Sequence, residues 1–138
     1  MITYEKVLVL KNVPLFEKAS ELALSDLISV AEEQMLKPGE VLLTEKQENN
    51  FLYVVLSGVI EMFRHKRLLQ EFGPRQLIGE TTVFSPASLN AELRAKEKTF
   101  VLRVSSDQLY RVMALHPTLA FSFLEELSRR VRLAEKKD

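Results

Sequence analysis

A chain of 138 residues, 46% hydrophobic and 28% charged, has the size and balance of one soluble globular domain with a sizeable core. Lys plus Arg and Asp plus Glu are equal at 19 each, so there is no electrostatic case for wrapping nucleic acid or lying on an acidic membrane. The absence of cysteine excludes disulfide scaffolds, Cys-based zinc sites and thiol catalysis, and fits a reducing compartment.

No apolar run reaches the length of about 18 residues that spans a bilayer. The opening MITYEKVLVLKNVPLF is not a secretory signal, because Lys11 and Asn12 break its short apolar part and no small-residue cleavage site follows. The chain starts almost inside an amphipathic element and stops in RLAEKKD, which reads as a domain taken from something longer, with a small free-standing protein as the alternative.

Helical signals occupy the ends and strand signals the middle. Ser20 is an N-cap candidate, and ELALSDLISVAEEQM places Leu24, Leu27, Ile28 and Ala31 on one face of a helix. KPGE, Lys37 to Glu40, is a turn. From Val41 to Val104 the runs VLLTE, FLYVVLSGVIEMFRH, RLLQEFG and TFVLRVS are short and apolar, punctuated by Gly39, Gly58, Gly73 and Gly79. They predict an antiparallel barrel or sandwich, with Gly58 in a tight turn between paired strands.

SSDQLYRVMALH then predicts a short helix capped by Ser105 or Ser106 and ended by His116-Pro117. PTLAFSFLEELSRRVRLAEKKD starts a last helix with Pro117 in its first turn. Ala120, Phe123, Leu124, Leu127 and Val131 form its apolar stripe. About 20 helical residues would measure roughly 30 Å and overhang a small barrel. The fold class is α+β and mainly β, in one domain over 1–138: a helical lead-in at 1–36, a β-roll at 37–104 and C-terminal helices at 105–135.

KPGEVLLTE, FLYVVLSGVIEM, LQEFGPRQLIGETTVF and HPTLAFSFLEELSRRVR together resemble the cyclic nucleotide-binding domain family. That family includes the protein kinase A regulatory subunit, cyclic-nucleotide-gated channels and the catabolite activator protein. The resemblance runs from about Leu10 to Arg132. It implies an eight-stranded jelly-roll-like β-roll between helices, with the ligand held by a phosphate-binding cassette: Phe-Gly-Glu, a short helix, then Pro-Arg-x-Ala-x-Val. In such a cassette free N–H groups at the helix start face the phosphate, the Glu accepts from the ribose 2′-hydroxyl, and the Arg fork neutralises the phosphate.

Carried over, Ile78-Gly79-Glu80 stands for Phe-Gly-Glu, and Thr81-Thr82-Val83-Phe84 for the short helix. Ala91, Leu93 and Ala95 take the positions of the closing strand. Counting back from them places Leu89 where the Arg belongs, followed by Asn90. Pro86 stands two places before the usual Pro position, which is Ser88, and the acidic-Gly-acidic turn is altered to Glu45-Lys46-Gln47. Gly79, Glu80, Thr81, Thr82, Leu89 and Asn90 are therefore the candidate ligand residues.

An anion buried without its cation is costly. Strand alternation turns Arg94 away from the face of Leu89, and Arg75 would have to fold back over Gly79 to help. Leu89 reads as an apolar plug, so tight cyclic AMP or cyclic GMP binding is not expected. The resemblance implies a cytoplasmic regulatory or interaction module of a larger protein, such as a transporter or channel, or a homodimer formed through the last helix. The alternative is a working sensor of a cyclic nucleotide or other small ligand whose binding moves that helix.

Plainer roles stand beside these. Glu80 also reads as a loop carboxylate bonded to backbone N–H groups, and Thr81 and Thr82 as turn caps. His65, in RHKR, is a solvated hairpin tip; His116 is structural; the pair has no metal-like spacing. SRRVR and EKKD are read as a solvated basic face. No Ser/His/Asp or Cys/His constellation, P-loop or GxGxxG is present, so an enzyme is not expected.

Overall fold

The computed structural model describes residues 2–136; Met1, Lys137 and Asp138, and with them the end of EKKD, lie outside the described residues. Helix α1 (Thr3–Lys11), a 3-10 turn at Pro14–Phe16 and α2 (Glu21–Val30) lead into the strands. These are β1 (Glu32–Leu36), β2 (Val41–Leu43), β3 (Glu48–Asn49), β4 (Phe51–Ser57) and β5 (Ile60–Arg64). After them come β6 (Arg67–Phe72), β7 (Leu77–Ile78), β8 (Ala87–Ser88), β9 (Glu92–Ala95) and β10 (Thr99–Ser105). Helices α3 (Ser106–Leu115) and α4 (Pro117–Glu135) close the chain.

The roll consists of two four-stranded antiparallel sheets, β1-β10-β4-β7 and β2-β9-β5-β6, with β3-β8 as a small third pair. β4 explains the arrangement best. Leu52, Val54 and Leu56 enter a core shared with the helices, while Tyr53 and Val55 enter the interior of the roll. Both faces are covered, so FLYVVLS reads as a continuous apolar run rather than an alternating one.

Several local expectations hold. The Ser20 hydroxyl accepts from Ala23 N at 3.1 Å, capping α2. Ser105 caps α3 in a capping box with Gln108. His65 and Lys66, with φ of 51° and 66°, form the two-residue tip of the β5–β6 hairpin. His116 sits between α3 and α4 with its ring 2.7 Å from Asp26 on α2.

Other expectations need correction. The first long helix ends at Val30, and Glu32–Leu36, expected in the helical lead-in, is a strand paired with β10. A partner strand far along the chain overrides the helical preference of EEQM. Gly58 does not join paired strands: β4 pairs with β10 and β7, whereas β5 pairs with β6 and β9. Gly58, at φ 89°, passes the chain between sheets, and a Cβ there would meet Lys98 O at 2.6 Å.

The α4 stripe is also rotated from the expected one. Leu119 and Phe123 are buried, whereas Phe121, Leu124 and Val131 are about 60%, 59% and 57% exposed. The helix carries apolar residues on more than one face, and only one face meets the body. Beyond Leu127 every described residue of α4 is exposed.

Candidate ligand-binding site

The loop after β7 starts at Gly79, whose φ of 93° favours glycine and whose Cβ position is blocked by the Phe51 carbonyl oxygen and by Asn49 Nδ2 at 2.9 Å. Its carbonyl oxygen accepts from Thr82 N at 3.1 Å and Val83 N at 2.9 Å. The chain makes this single turn and does not continue into the short helix expected at Thr81–Phe84. The N–H groups of Thr82 and Val83 are thereby engaged within the protein.

Thr82 is buried, and its hydroxyl accepts from Asn49 Nδ2 at 2.9 Å. Asn49, 1% exposed, also donates to Phe51 O at 2.8 Å and accepts from Phe51 N at 3.2 Å. One amide thus fastens the loop to the start of β4. Thr81 points to solvent.

Glu80 turns toward α4 and forms an ion pair with Arg130. Arg130 Nε also lies 3.1 Å from Glu126, which Arg129 engages through Nε at 3.2 Å. Burial pulls the Arg130 pKa down, but its bonds to Glu80 and then Glu126 outweigh that and leave it raised above its ordinary value. The Arg129 bond, opposed by burial and joined by Arg130, holds the Glu126 carboxyl below 4.5. A second contact lies on the same face of α4: the Phe123 ring packs edge-on against Phe84 of the loop, centroids 5.1 Å apart.

Leu89 lies elsewhere. It is half-buried and packs with Leu42, Phe51 and Met62 against the apolar interior of the roll. Asn90, exposed at φ 54°, donates from its N–H to Ser88 Oγ at 2.9 Å and accepts from Arg64 at 2.8 Å. Arg94 stacks 4.7 Å over Phe63 and pairs with Glu92.

A cavity of about 270 Å³ opens between the roll and α4. Gln70, Phe72, Arg75, Glu80, Glu126 and Arg130 are among its walls. Of Gly79, Glu80, Thr81, Thr82, Leu89 and Asn90, only Glu80 lines it. A smaller cavity of about 190 Å³ lies beside Gln34, Phe51, Tyr53 and Arg103. Burial raises the Tyr53 hydroxyl pKa there, against the lowering effect of Arg103.

Residues 33–116 match the cyclic nucleotide-binding domain family, which is more than half of the chain. The chain belongs to that family. The N-terminal domain of a transcriptional regulator from Streptomyces coelicolor A3(2) is similar in structure, with a TM-score of 0.86, 27% identity and 94% of each chain covered. The cyclic AMP receptor protein of Thermus thermophilus is 24% identical over 131 residues, 91% of this chain and 61% of that protein. The lysophospholipase NTE1 of Cryptococcus neoformans is 25% identical over 105 residues, 73% of this chain and 6% of that protein. The chain therefore spans only part of these curated relatives.

Within this cyclic nucleotide-binding domain, sequence reasoning missed Arg130, Phe84 and Asn49. Arg130 had a signal: it lies seven residues after Phe123, on the same helical face, so it points back to the body. Asn49 had none, because its partners are fixed by the fold. No group of metal-ligating residues assembles among the described residues. Nor is any described helix long and apolar enough to cross a membrane.

Proposed function

We propose that this domain is a cytoplasmic, non-enzymatic regulatory module of a larger protein, and that it does not hold cyclic AMP or cyclic GMP tightly. The observation that carries this reading is the packing of Leu89 against the roll's apolar interior, taken with the residue count that puts Leu89 where the family has its phosphate-binding Arg. Removing one partner of a buried charge pair costs about 3–5 kcal/mol. That corresponds to a loss of roughly a hundred- to several-thousand-fold in affinity.

Helix α4 is the output element of this reading. Phe123 anchors its first half on Phe84, and Arg130 tethers its second half to Glu80. Whatever perturbs Glu80 releases a helix end that buries almost nothing of its own. The exposed Phe121, Leu124 and Val131 offer the released or tethered helix a face for a host protein or a second copy.

The cavity against Glu80 and Arg130 supports a second reading, in which a small ligand enters there and moves α4. Calorimetric titration with cyclic AMP and cyclic GMP separates the two. The first reading predicts no saturable heat below about 100 μM ligand, or weaker than about −5.5 kcal/mol of binding. Micromolar binding to the unaltered domain would contradict it.

A further inference from the structure

The β5–β6 hairpin carries its charge unevenly. Arg64 and Arg67 stand directly opposite each other at its tip, joined by His65 and Lys66. At its other end Glu61 faces Glu71. Like charges directly opposite across paired strands are destabilising. The acidic end is relieved by Lys96, 3.3 Å from Glu71. The basic end has less: Arg64 Nε donates to a carbonyl, Asn90 O, at 2.8 Å, and Glu45 lies 3.8 Å from His65. The zero net charge of the chain thus conceals a cluster of Arg64, Lys66 and Arg67 on one projecting turn.

Apolar side chains lie directly beside these cations. Leu68, opposite Phe63, is 45% exposed, and Leu69, left unpaired at a β-bulge, is 43% exposed. Strand β6 is the outermost of its sheet, and every residue from Arg64 to Glu71 is exposed. Edge strands are usually guarded by charged side chains, whereas this one shows two adjacent leucines. A partner that satisfies the whole stretch must be anionic and apolar together. A nucleic acid would engage the cations and leave Leu68 and Leu69 in water. A bilayer with anionic headgroups offers both, charge at its surface and acyl chains just beneath.

We propose that the tip of the β5–β6 hairpin docks on an anionic lipid surface, with Arg64, Lys66 and Arg67 at the headgroups and Leu68 and Leu69 dipping between them. The hairpin lies obliquely, its β6 edge toward the lipid. Long Arg and Lys side chains reach headgroups while the chain beside them sits deeper. Glu71 is four residues beyond Arg67, about 13 Å along the strand, so the tilt holds the acidic end away from the surface. Anionic headgroups also relieve the repulsion between Arg64 and Arg67 that the hairpin itself leaves standing.

The test is co-sedimentation of the 138-residue chain with vesicles of phosphatidylcholine alone and of phosphatidylcholine mixed with phosphatidylserine. Wild type should bind the mixed vesicles at least about tenfold better than the neutral ones, and less well as salt rises. Lys66→Gln with Arg67→Gln should lose about tenfold or more, since each cation near the surface contributes about fivefold before screening. Arg64 is kept in that variant because it also bonds to Asn90. Leu68→Ser with Leu69→Ser should lose about fivefold while still preferring the mixed vesicles. Both variants change exposed side chains, and the first removes a like-charge pair, so their Tm should match that of wild type. No binding to mixed vesicles, or equal binding to both kinds, overturns the inference. A charge variant that binds as wild type removes the tip from the contact and overturns it as well. A leucine variant that binds as wild type overturns the insertion of Leu68 and Leu69. A DNA duplex run beside the vesicles should stay unbound; a duplex bound where vesicles are not would overturn the lipid assignment.

Discussion

Arg130 reaches back across 50 residues of sequence to pair with Glu80, tying the exposed half of α4 to the loop that follows β7. Phe123 ties the other half to the same loop through Phe84. The first contact is polar and partly solvated; the second is apolar and buried. They should therefore fail in different ways.

Arg130→Gln removes a surface ion pair, worth about 0.2–1 kcal/mol. Its Tm should fall by no more than a few degrees, while amide hydrogen exchange in residues 124–135 accelerates and that of β4 does not. Unchanged exchange in that segment would show that Glu80 does not restrain α4.

Phe123→Ala empties a site that is 2% exposed and touches both Phe16 and Phe84. Denaturant unfolding should show a loss of about 3–5 kcal/mol. A loss below about 1 kcal/mol would mean that α4 is not anchored by this ring.

Asn49→Ala leaves the Phe51 backbone groups and the Thr82 hydroxyl without their partner in a buried setting. The expected cost is about 1–3 kcal/mol, measured by the same unfolding experiment. The Thr82 and Val83 amides should lose exchange protection first. Uniform loss of protection across the roll would instead make Asn49 a general stabiliser.

Glu126 gives the α4 tether a pH dependence. Its carboxyl pKa is lower in the folded chain than its ordinary 4.5, chiefly through the Arg129 bond. Its contribution is complete above that ordinary value and is lost as pH falls through the lower folded one. Exchange in residues 124–135, corrected for intrinsic rate, should be flat from pH 7 to pH 5 and rise only in the acid range. A rise between pH 7 and pH 6 would point to another group.

The features legible in the sequence were those decided by local chemistry. Ser20 and Ser105 announce their helices because a cap is a three-residue interaction, and the RHKR hairpin tip is set by its own turn. Partners far along the chain were not legible. Glu32–Leu36 became a strand because β10 lies beside it, and Gly58 proved to be a crossing because β4 and β5 pair elsewhere. The order of residues suggested a cassette with a short helix at Thr81–Phe84, where the chain makes only a turn, and Glu80 pairs with a residue of α4 that no local pattern near it names. Periodicity marked α4 as amphipathic but not which apolar face meets the body, since Phe121 and Leu124 are as apolar as Phe123.

The central claim is that this member of the family lacks its phosphate-binding cation because Leu89 stands in its place. It is tested most directly by titrating wild type and Leu89→Arg side by side with cyclic AMP in a calorimeter. The account predicts a silent wild type and a variant that gains at least a hundredfold in affinity, about 2.7 kcal/mol. Tight binding by wild type, or a folded variant as silent as wild type, would contradict it.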